Sequence, residues 1–504
     1  MKYKKLFTDA VANTFSSYLV LPFTMVSALL VRRIIGPYLT GIIATLSLFI
    51  SYSTFSNLGI LNAGERELPN CKGSGEAERF EHIKNSVFTV TLITGFLFSI
   101  LMITWALLYR STFDRYFFVG ILVYAVCVFW QQWVFYYITL LRTSQSFIFL
   151  GKNTIIVGLL SSVGNLIAVW LFGFYGLLSM GLIVILFQVY YMIRYVGHIP
   201  SLRIDWVEIK KLVLIGLPLL IMGLAMTGIR TMDNILVIKL LGTEALGLYT
   251  IALLANNMIF QITNAMSGIF YPRMQISYGQ NRMCENLSAY VIRPTLIMGL
   301  LLPFAIGAIF IITPTVVQYM LPLFQRGLTV FKIITVMTYF FAMFQMASCF
   351  LTTINKQFKM SIIFFLTIII TATLALLFNK FNLGLIGVAL ATGIGYIFCF
   401  LSINIYALRH WASWGKTFEF LWDLTIPFLY STFLLVLIDM YTIPTRGWNV
   451  PILVFAIFIK MIFFGVAYLP LVWFFEGKTK LILDFINPVF IMVKARVKTS
   501  FLKI

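Results

Sequence analysis

Charged side chains occur inside long apolar stretches of this sequence, where each one needs a partner or water. Arg230 and Asp233 are three residues apart and share one face of a helix. A charge at bilayer depth costs roughly 2.5 to 3.5 kcal/mol on insertion scales. Two interpretations remain open. The pair forms a local ion pair, or both groups line a polar cavity, with Asp233 titratable or cation-binding and Arg230 contacting an anion.

Amide side chains form a stripe on the following apolar stretch. Asn257, Gln261 and Asn264 recur at spacings of four and three, which places them on one helical face. Lys332 and Tyr339 lie on a similar polar face further along the chain. Such stripes either bond to neighbouring helices or line a cavity, and for the amides we weigh the two equally. For Lys332 we favour cavity lining, although it lies near enough to a helix end to snorkel.

Three further cations are candidate contacts for lipid headgroups. Arg32 and Arg33 end the first apolar stretch, on the side opposite to most basic residues. Lys460 is surrounded by apolar neighbours in the last stretch. Interfacial anchoring accounts equally well for the two arginines, and a partner on a neighbouring helix accounts equally well for Lys460.

The composition predicts an all-α integral membrane protein. The chain is 61% hydrophobic and 11% charged, whereas a soluble protein has about 25% charged residues. A spanning helix needs about 20 apolar residues, and we count fourteen such segments. Their approximate limits are 11–31, 38–62, 86–109, 116–141, 154–172, 176–196, 212–238, 245–270, 292–317, 328–351, 361–379, 384–408, 420–440 and 451–475.

Two echoes in the sequence indicate an internal duplication. Gly36 and Gly41 recur as Gly242 and Gly247, 206 residues later, each pair linking two apolar segments. The second echo relates residues 173–177 to residues 384–388, at an offset of 211. Segments one to six are thereby matched with segments seven to twelve. Because six is even, the repeats should be parallel and related by an axis along the membrane normal.

The duplication suggests four regions. We expect a six-helix lobe at 1–200, a second at 201–410, helices thirteen and fourteen at 411–476, and a basic interfacial or cytoplasmic tail at 477–504. Lys and Arg are about threefold more frequent on one side of the predicted helices, which places both termini in the cytoplasm. The net charge of +20 is therefore mostly a topology signal, and we expect no nucleic-acid partner.

Several function classes are disfavoured. The Gly-Lys-Thr triplets at 415–417 and 477–479 lack the upstream glycine of a phosphate-binding loop. The longest connection, residues 63–85, is assigned to the cytoplasm, so no external catalytic domain is visible. The cysteines form no C-x-x-C pair. We expect no enzyme activity, no cofactor and no metal site.

The chain resembles bacterial polysaccharide repeat-unit flippases of the Wzx type. Their superfamily also contains multidrug exporters of the MATE class and the lipid II flippases. The resemblance covers most of the chain and rests on diffuse motifs. These are Arg33-x-x-Gly36-x-x-x-x-Gly41 leading into Asn57-Leu58-Gly59, Asp233-Asn234-Ile235-Leu236 continuing through Gly242, Gly247 and Tyr249, Pro272, and Gly384-x-x-Gly387.

The resemblance implies two MATE-like six-helix lobes around a central cavity, with two extra helices for lipid-linked substrates. It implies translocation of an undecaprenyl-pyrophosphate-linked oligosaccharide across the bacterial cytoplasmic membrane by alternating access, for O-antigen, capsule or exopolysaccharide synthesis. Asn57 joins the candidate cavity residues on this basis. The implied partners are the lipid-linked oligosaccharide, membrane lipid, a polysaccharide polymerase and a chain-length regulator. The alternatives are a proton- or sodium-coupled MATE exporter and a lipid II flippase.

Overall fold

The computed structural model describes residues 2–281, 285–441 and 450–479. Within these ranges the chain is helical and forms no β-strand. The all-α prediction is confirmed, and twelve helical stretches are long and apolar enough to cross a membrane. Most of the predicted basic tail, from residue 480 onwards, lies outside the described residues.

The helices follow one another with short connections. In chain order they are α1 (Lys2–Ser53), α2 (Ile60–Ser74), α3 (Ala77–Leu108), α4 (Arg115–Thr143), α5 (Phe147–Val196), α6 (Trp206–Leu241), α7 (Thr243–Asn281), α8 (Ser288–Met320), α9 (Leu328–Met343), α10 (Gln345–Thr353), α11 (Gln357–Lys380), α12 (Gly384–Leu408), α13 (Trp414–Met440) and α14 (Val450–Thr479).

Two helices have twice the length that a bilayer requires. The 52 residues of α1 and the 50 residues of α5 would each extend about 75 Å at 1.5 Å per residue. Each is broken where two predicted segments meet, at Gly36 with φ 75° and at Gly173 with φ 58°. The predicted segments therefore fall mainly on described helices, two in α1 and two in α5. The second runs beyond the end of α1 into α2, and the tenth is divided between α9 and α10.

The duplicated glycines share backbone conformations as well as sequence spacing. Gly36 has φ 75° and ψ 177°, and Gly242 has φ 89° and ψ −179°. Gly173 and Gly384 also have positive φ, at 58° and 50°. Because side chains disfavour this region, glycine at these four positions allows one helix to end and the next to begin. The duplication is thus visible in the fold.

The predicted loop at residues 63–85 is helical, which corrects the sequence assignment. It forms α2 and the first part of α3. The charged residues of α2 obscured its apolar face, on which Ile60, Leu68 and Cys71 are buried. That face packs against α3, α4 and α6, so burial rather than hydropathy determines this helix.

Contacts divide the chain into two units. Unit 1 comprises Met1–Ile251, Met320–Val330 and Gln357–Thr392, and unit 2 comprises Ala252–Tyr319, Phe331–Lys356 and Gly393–Ile504. One core of unit 1 joins α2 to α6 through residues such as Ile83, Tyr137, Met192 and Leu212. In unit 2, aromatic rings including Phe340, Phe400 and Phe428 pack together. The predicted boundaries near residues 200, 410 and 476 remain predictions.

The connection between α5 and α6 is bound along α3. Backbone N–H groups in this connection donate to three side chains of α3. The pairs are Ser201 to Asn85 at 3.2 Å, Arg203 to Thr89 at 3.1 Å and Asp205 to Ser86 at 3.1 Å. Asp205 then caps α6 by accepting from the Val207 and Glu208 N–H groups. The Glu208 N–H in particular holds the pKa of the Asp205 carboxyl below its usual value.

Candidate functional site

The duplicated glycines of unit 1 lie in a reciprocal contact. A β carbon on Gly41 would be 1.9 Å from the Thr243 carbonyl oxygen, and one on Gly247 would be 1.8 Å from the Pro37 carbonyl oxygen. Pro37 and Thr243 are themselves equivalent, since each follows the first glycine of its repeat. A contact in which each partner reproduces the other's role is the signature of a two-fold axis. The start of the second segment therefore packs, backbone against backbone, on the start of the eighth.

A second close approach joins the turn that follows α1 to α6. A β carbon on Gly59 would be 2.5 Å from the Gly216 carbonyl oxygen, and one on Gly216 would be 2.2 Å from that of Gly59. Asn57 builds the adjoining turn, because its side chain donates to the Thr54 oxygen at 3.0 Å and accepts from the Gly59 N–H at 3.1 Å. Asn57 is 2% exposed, so these contacts give it a local structural role.

Polar contacts connect α1 and α6 between these two glycine contacts. The Tyr52 hydroxyl lies 2.8 Å from the Thr231 hydroxyl. Arg230, the residue before Thr231, is partly exposed. Arg230 thus neighbours, along the chain, the residue whose hydroxyl joins the two repeats.

Asp233 is buried in unit 1, with 1% of its surface exposed. One carboxyl oxygen accepts from the Tyr249 hydroxyl at 2.8 Å, and the other accepts from the Asn234 N–H at 2.8 Å. Both are neutral donors that can bond to a charged carboxylate, and either oxygen can also carry a proton. Burial in a membrane helix opposes the charge, whereas the two donors support it. The two hydrogen bonds are compatible with a charged or a protonated carboxyl, and the titratable role of Asp233 stays a prediction.

The two arginines at the end of the first segment differ in environment. Arg32 donates to the Thr250 hydroxyl at 3.3 Å and to the Ala28 oxygen at 3.0 Å, linking the first segment to α7. Arg33 is exposed. The exposed side chain of Arg33 can therefore reach a lipid headgroup, whereas Arg32 contacts the other repeat.

The amide stripe lies in the part of α7 that belongs to unit 2. Asn257 and Asn264 are exposed and Gln261 is partly exposed. An amide used to bond neighbouring helices would be buried between them, as Asn256 is, at 3% exposure and hydrogen-bonded to Thr338. Asn257 and Asn264 are therefore not buried between helices, and the cavity-lining role of the stripe stays a prediction.

Three other candidates lie in unit 2. Tyr339 is 1% exposed and donates to the Leu424 oxygen at 2.7 Å, so it joins α9 to α13 within the packed interior. Lys332 forms an ion pair with Asp439 at 2.6 Å. Lys460 lies within electrostatic reach of both members of that pair. Lys332 and Lys460 are thus associated with the same carboxylate, that of Asp439.

A family of known proteins accounts for most of the helices described above. Residues 30–322 match the model of a family described as "Polysaccharide biosynthesis protein". The chain belongs to this family. The matched range includes both glycine contacts, Arg230, Asp233 and the amide stripe, and it ends before Lys332 and α14. A search of curated proteins gives no significant match.

Solved structures give this polysaccharide biosynthesis protein the fold of MATE transporters. An inward-facing multidrug resistance MATE family transporter of the MOP superfamily has 16% identity and a TM-score of 0.62, over 81% of this chain and 99% of that one. An outward-facing multidrug resistance MATE family transporter of the MOP superfamily has 16% identity and a TM-score of 0.58, over 82% of this chain and 96% of that one. A MOP superfamily transporter from Pyrococcus furiosus has 16% identity and a TM-score of 0.57, over 80% of this chain and 95% of that one. It is described as having a binding pocket of reverse polarity.

Sequence reasoning missed several partners in this family member. Tyr249 stood in the motif that carried the resemblance, but its bond to Asp233 spans 16 positions and lies on the next helix. Asp439 is 107 residues from Lys332. The Asn256–Thr338 pair was hidden because Asn256 is adjacent to the more regular stripe. A periodic pattern identifies a helical face and gives no information about what faces it.

Proposed function

We propose that this membrane protein is a flippase that moves an undecaprenyl-pyrophosphate-linked oligosaccharide from the cytoplasmic to the outer leaflet. The observation that carries the proposal is the reciprocal glycine contact of two repeats in a polysaccharide biosynthesis family member. Such repeats can rock against each other about their common axis. The substrate site would then open to the two leaflets alternately, without any covalent step.

The exposed amides provide a surface on which sugars can replace water. Moving an unpaired hydroxyl into an apolar medium costs roughly 2 to 7 kcal/mol, so an oligosaccharide needs polar partners along its whole path. Asn257, Gln261 and Asn264 each offer both donors and acceptors, and their stripe runs along α7 over two helical turns. We infer that they contact the oligosaccharide.

The diphosphate needs cations rather than amides. Arg230 lies on α6 and is partly exposed, and guanidinium forks bind phosphate oxygens in pairs. We infer that Arg230 contacts the diphosphate during passage. An inside-negative potential further favours outward movement of the anion, by about 2.3 kcal/mol per charge per 100 mV.

The glycine contacts explain how the repeats could separate and meet again. In lipid, helices associate by close packing of small residues, because no hydrophobic force acts between them. The contacts at Gly41 with Gly247 and at Gly59 with Gly216 are of this kind. We infer that opening one contact gives access from one side of the membrane, while the other remains closed.

Loss of the gene tests the proposal in cells. A strain lacking the protein should lose its surface polysaccharide and accumulate single lipid-linked repeat units, because polymerisation occurs after translocation. Restoration by the wild-type gene and not by Arg230→Ala, at equal membrane levels, is the expected result. Increased sensitivity to cationic drugs with normal polysaccharide would instead indicate an exporter, and loss of cell-wall synthesis would indicate a lipid II flippase.

A further inference from the structure

A cluster of charges outside the family match joins three helices of unit 2. The Lys332 ammonium contacts both oxygens of the Asp439 carboxylate, at 2.6 and 2.8 Å. Lys332 lies four residues after the start of α9, and Asp439 is the penultimate residue of α13. The pair therefore lies at the level of two helix ends. The Lys332 side chain is 29% exposed and the Asp439 side chain is 42% exposed.

Lys460 brings a second cation to the same place. It precedes Phe464 by four residues and Tyr468 by eight, and both rings are buried, at 3% and 0% exposure. Lys460 therefore lies on the face of α14 that packs on the bundle. Phe304 contacts Tyr468 and Gly307 meets Phe464, so α8 and α14 are antiparallel and Lys460 lies level with Phe310. The Phe310 ring is 5.9 Å from the Lys332 ammonium, which places Lys460 near the pair. Among the described residues, none accepts a hydrogen bond from its ammonium group.

The charges of this cluster do not cancel. Lys332 already engages both oxygens of Asp439, so Lys460 shares an anion that has a closer partner. From Pro451 to Phe475, α14 has no charged residue besides Lys460, and Phe455, Phe458 and Ile459 face outwards. A cation beside such a surface needs an anion that reaches it from the lipid. Lys460 lies ten residues after the start of α14, about 15 Å along the helix, so its long side chain extends towards the headgroups near the helix ends.

We propose that Lys460 and Lys332 bind the phosphate group of an anionic membrane lipid, with Asp439 holding Lys332 in place. A phosphate can accept from both ammonium groups at once, whereas the single carboxylate of Asp439 is occupied by Lys332. The lipid chains would remain in the surrounding bilayer beside α14. This site does not depend on the proposed function, since any protein with this cluster would bind the lipid.

The test measures lipid binding to the purified full-length protein by native mass spectrometry. Phosphatidylglycerol is titrated against the wild type, Lys460→Gln, Lys460→Arg and Lys380→Gln. Lys380 is a matched control, because it is exposed at the end of α11, on the side of the membrane predicted for the cluster. We expect Lys460→Gln to bind about fivefold more weakly, and Lys460→Arg and Lys380→Gln to bind normally.

Two further probes identify the source of the phosphate. Phosphatidylcholine, whose phosphate is neutralised by choline, should bind more weakly than phosphatidylglycerol, and inorganic phosphate should not displace the lipid. Equal binding by Lys460→Gln and wild type would overturn the site, provided that both unfold at the same temperature without lipid. Displacement by inorganic phosphate alone would overturn the assignment to a lipid.

Discussion

Replacing Gly41 or Gly247 by alanine should reduce polysaccharide export about tenfold or more. Either new β carbon would lie within 2 Å of a carbonyl oxygen of the other repeat, so the two helices must move apart. Overpacking of this kind costs about 1 to 3 kcal/mol, and about 1.4 kcal/mol corresponds to a tenfold change in an equilibrium. Because the contact is reciprocal, the two substitutions should have similar effects although they lie 206 residues apart.

Gly181→Ala provides the matched control for these variants. Gly181 is also a helical glycine, but a β carbon there would meet no atom within 4 Å. Export per unit of protein in the membrane is the measured quantity, so that loss of protein is separated from loss of transport. Normal export by Gly41→Ala, or very different effects of the two substitutions, would show that the repeats do not meet as described.

Asp233→Asn should reduce export about tenfold, although it preserves size and shape. The asparagine oxygen can accept from the Asn234 N–H, and its NH2 group can donate to the Tyr249 hydroxyl oxygen, so both contacts of Asp233 keep a partner. The substitution therefore removes the titratable group with little change in packing. If Asp233 changes protonation during transport, this loss should persist when Arg230→Gln is added.

The double variant distinguishes the two interpretations of Arg230 and Asp233. If the residues matter only as an ion pair, removing both charges should restore what either single substitution removes. The measurement is export by the two single variants and the double variant at matched expression. Tyr249→Phe serves as a control for the hydrogen bond alone and should have a smaller effect. Rescue by the double variant would contradict a role for Asp233 in coupling.

The duplication could be predicted from the sequence because the repeated glycines stand where the backbone excludes a side chain. Gly36 and Gly242 need positive φ, and Gly41 and Gly247 have no room for a side chain. Because the two repeats have the same local structure, both requirements occur at equivalent positions in each repeat. The fourteen apolar segments were equally readable, since hydropathy reflects the bilayer rather than the packing.

The pairing of side chains was much less predictable. The Lys332–Asp439 ion pair joins residues from α9 and α13 that no periodic pattern relates. Tyr339 shares a helical face with Lys332 yet is buried in the interior of unit 2, because burial along one face changes from the end of a helix to its middle. Substrate identity is also weakly encoded, since the motifs that indicate the family are mainly glycines that shape turns.

Translocation in a defined membrane tests the central claim most directly. The purified protein is reconstituted into vesicles containing an undecaprenyl-pyrophosphate-linked oligosaccharide in both leaflets, and an impermeant glycosidase is added outside. The account predicts that the wild type makes the inner-leaflet pool accessible to the enzyme, while empty vesicles and vesicles with Gly41→Ala keep it protected. An inner pool that stays equally protected with the wild-type protein would contradict the assignment as a flippase.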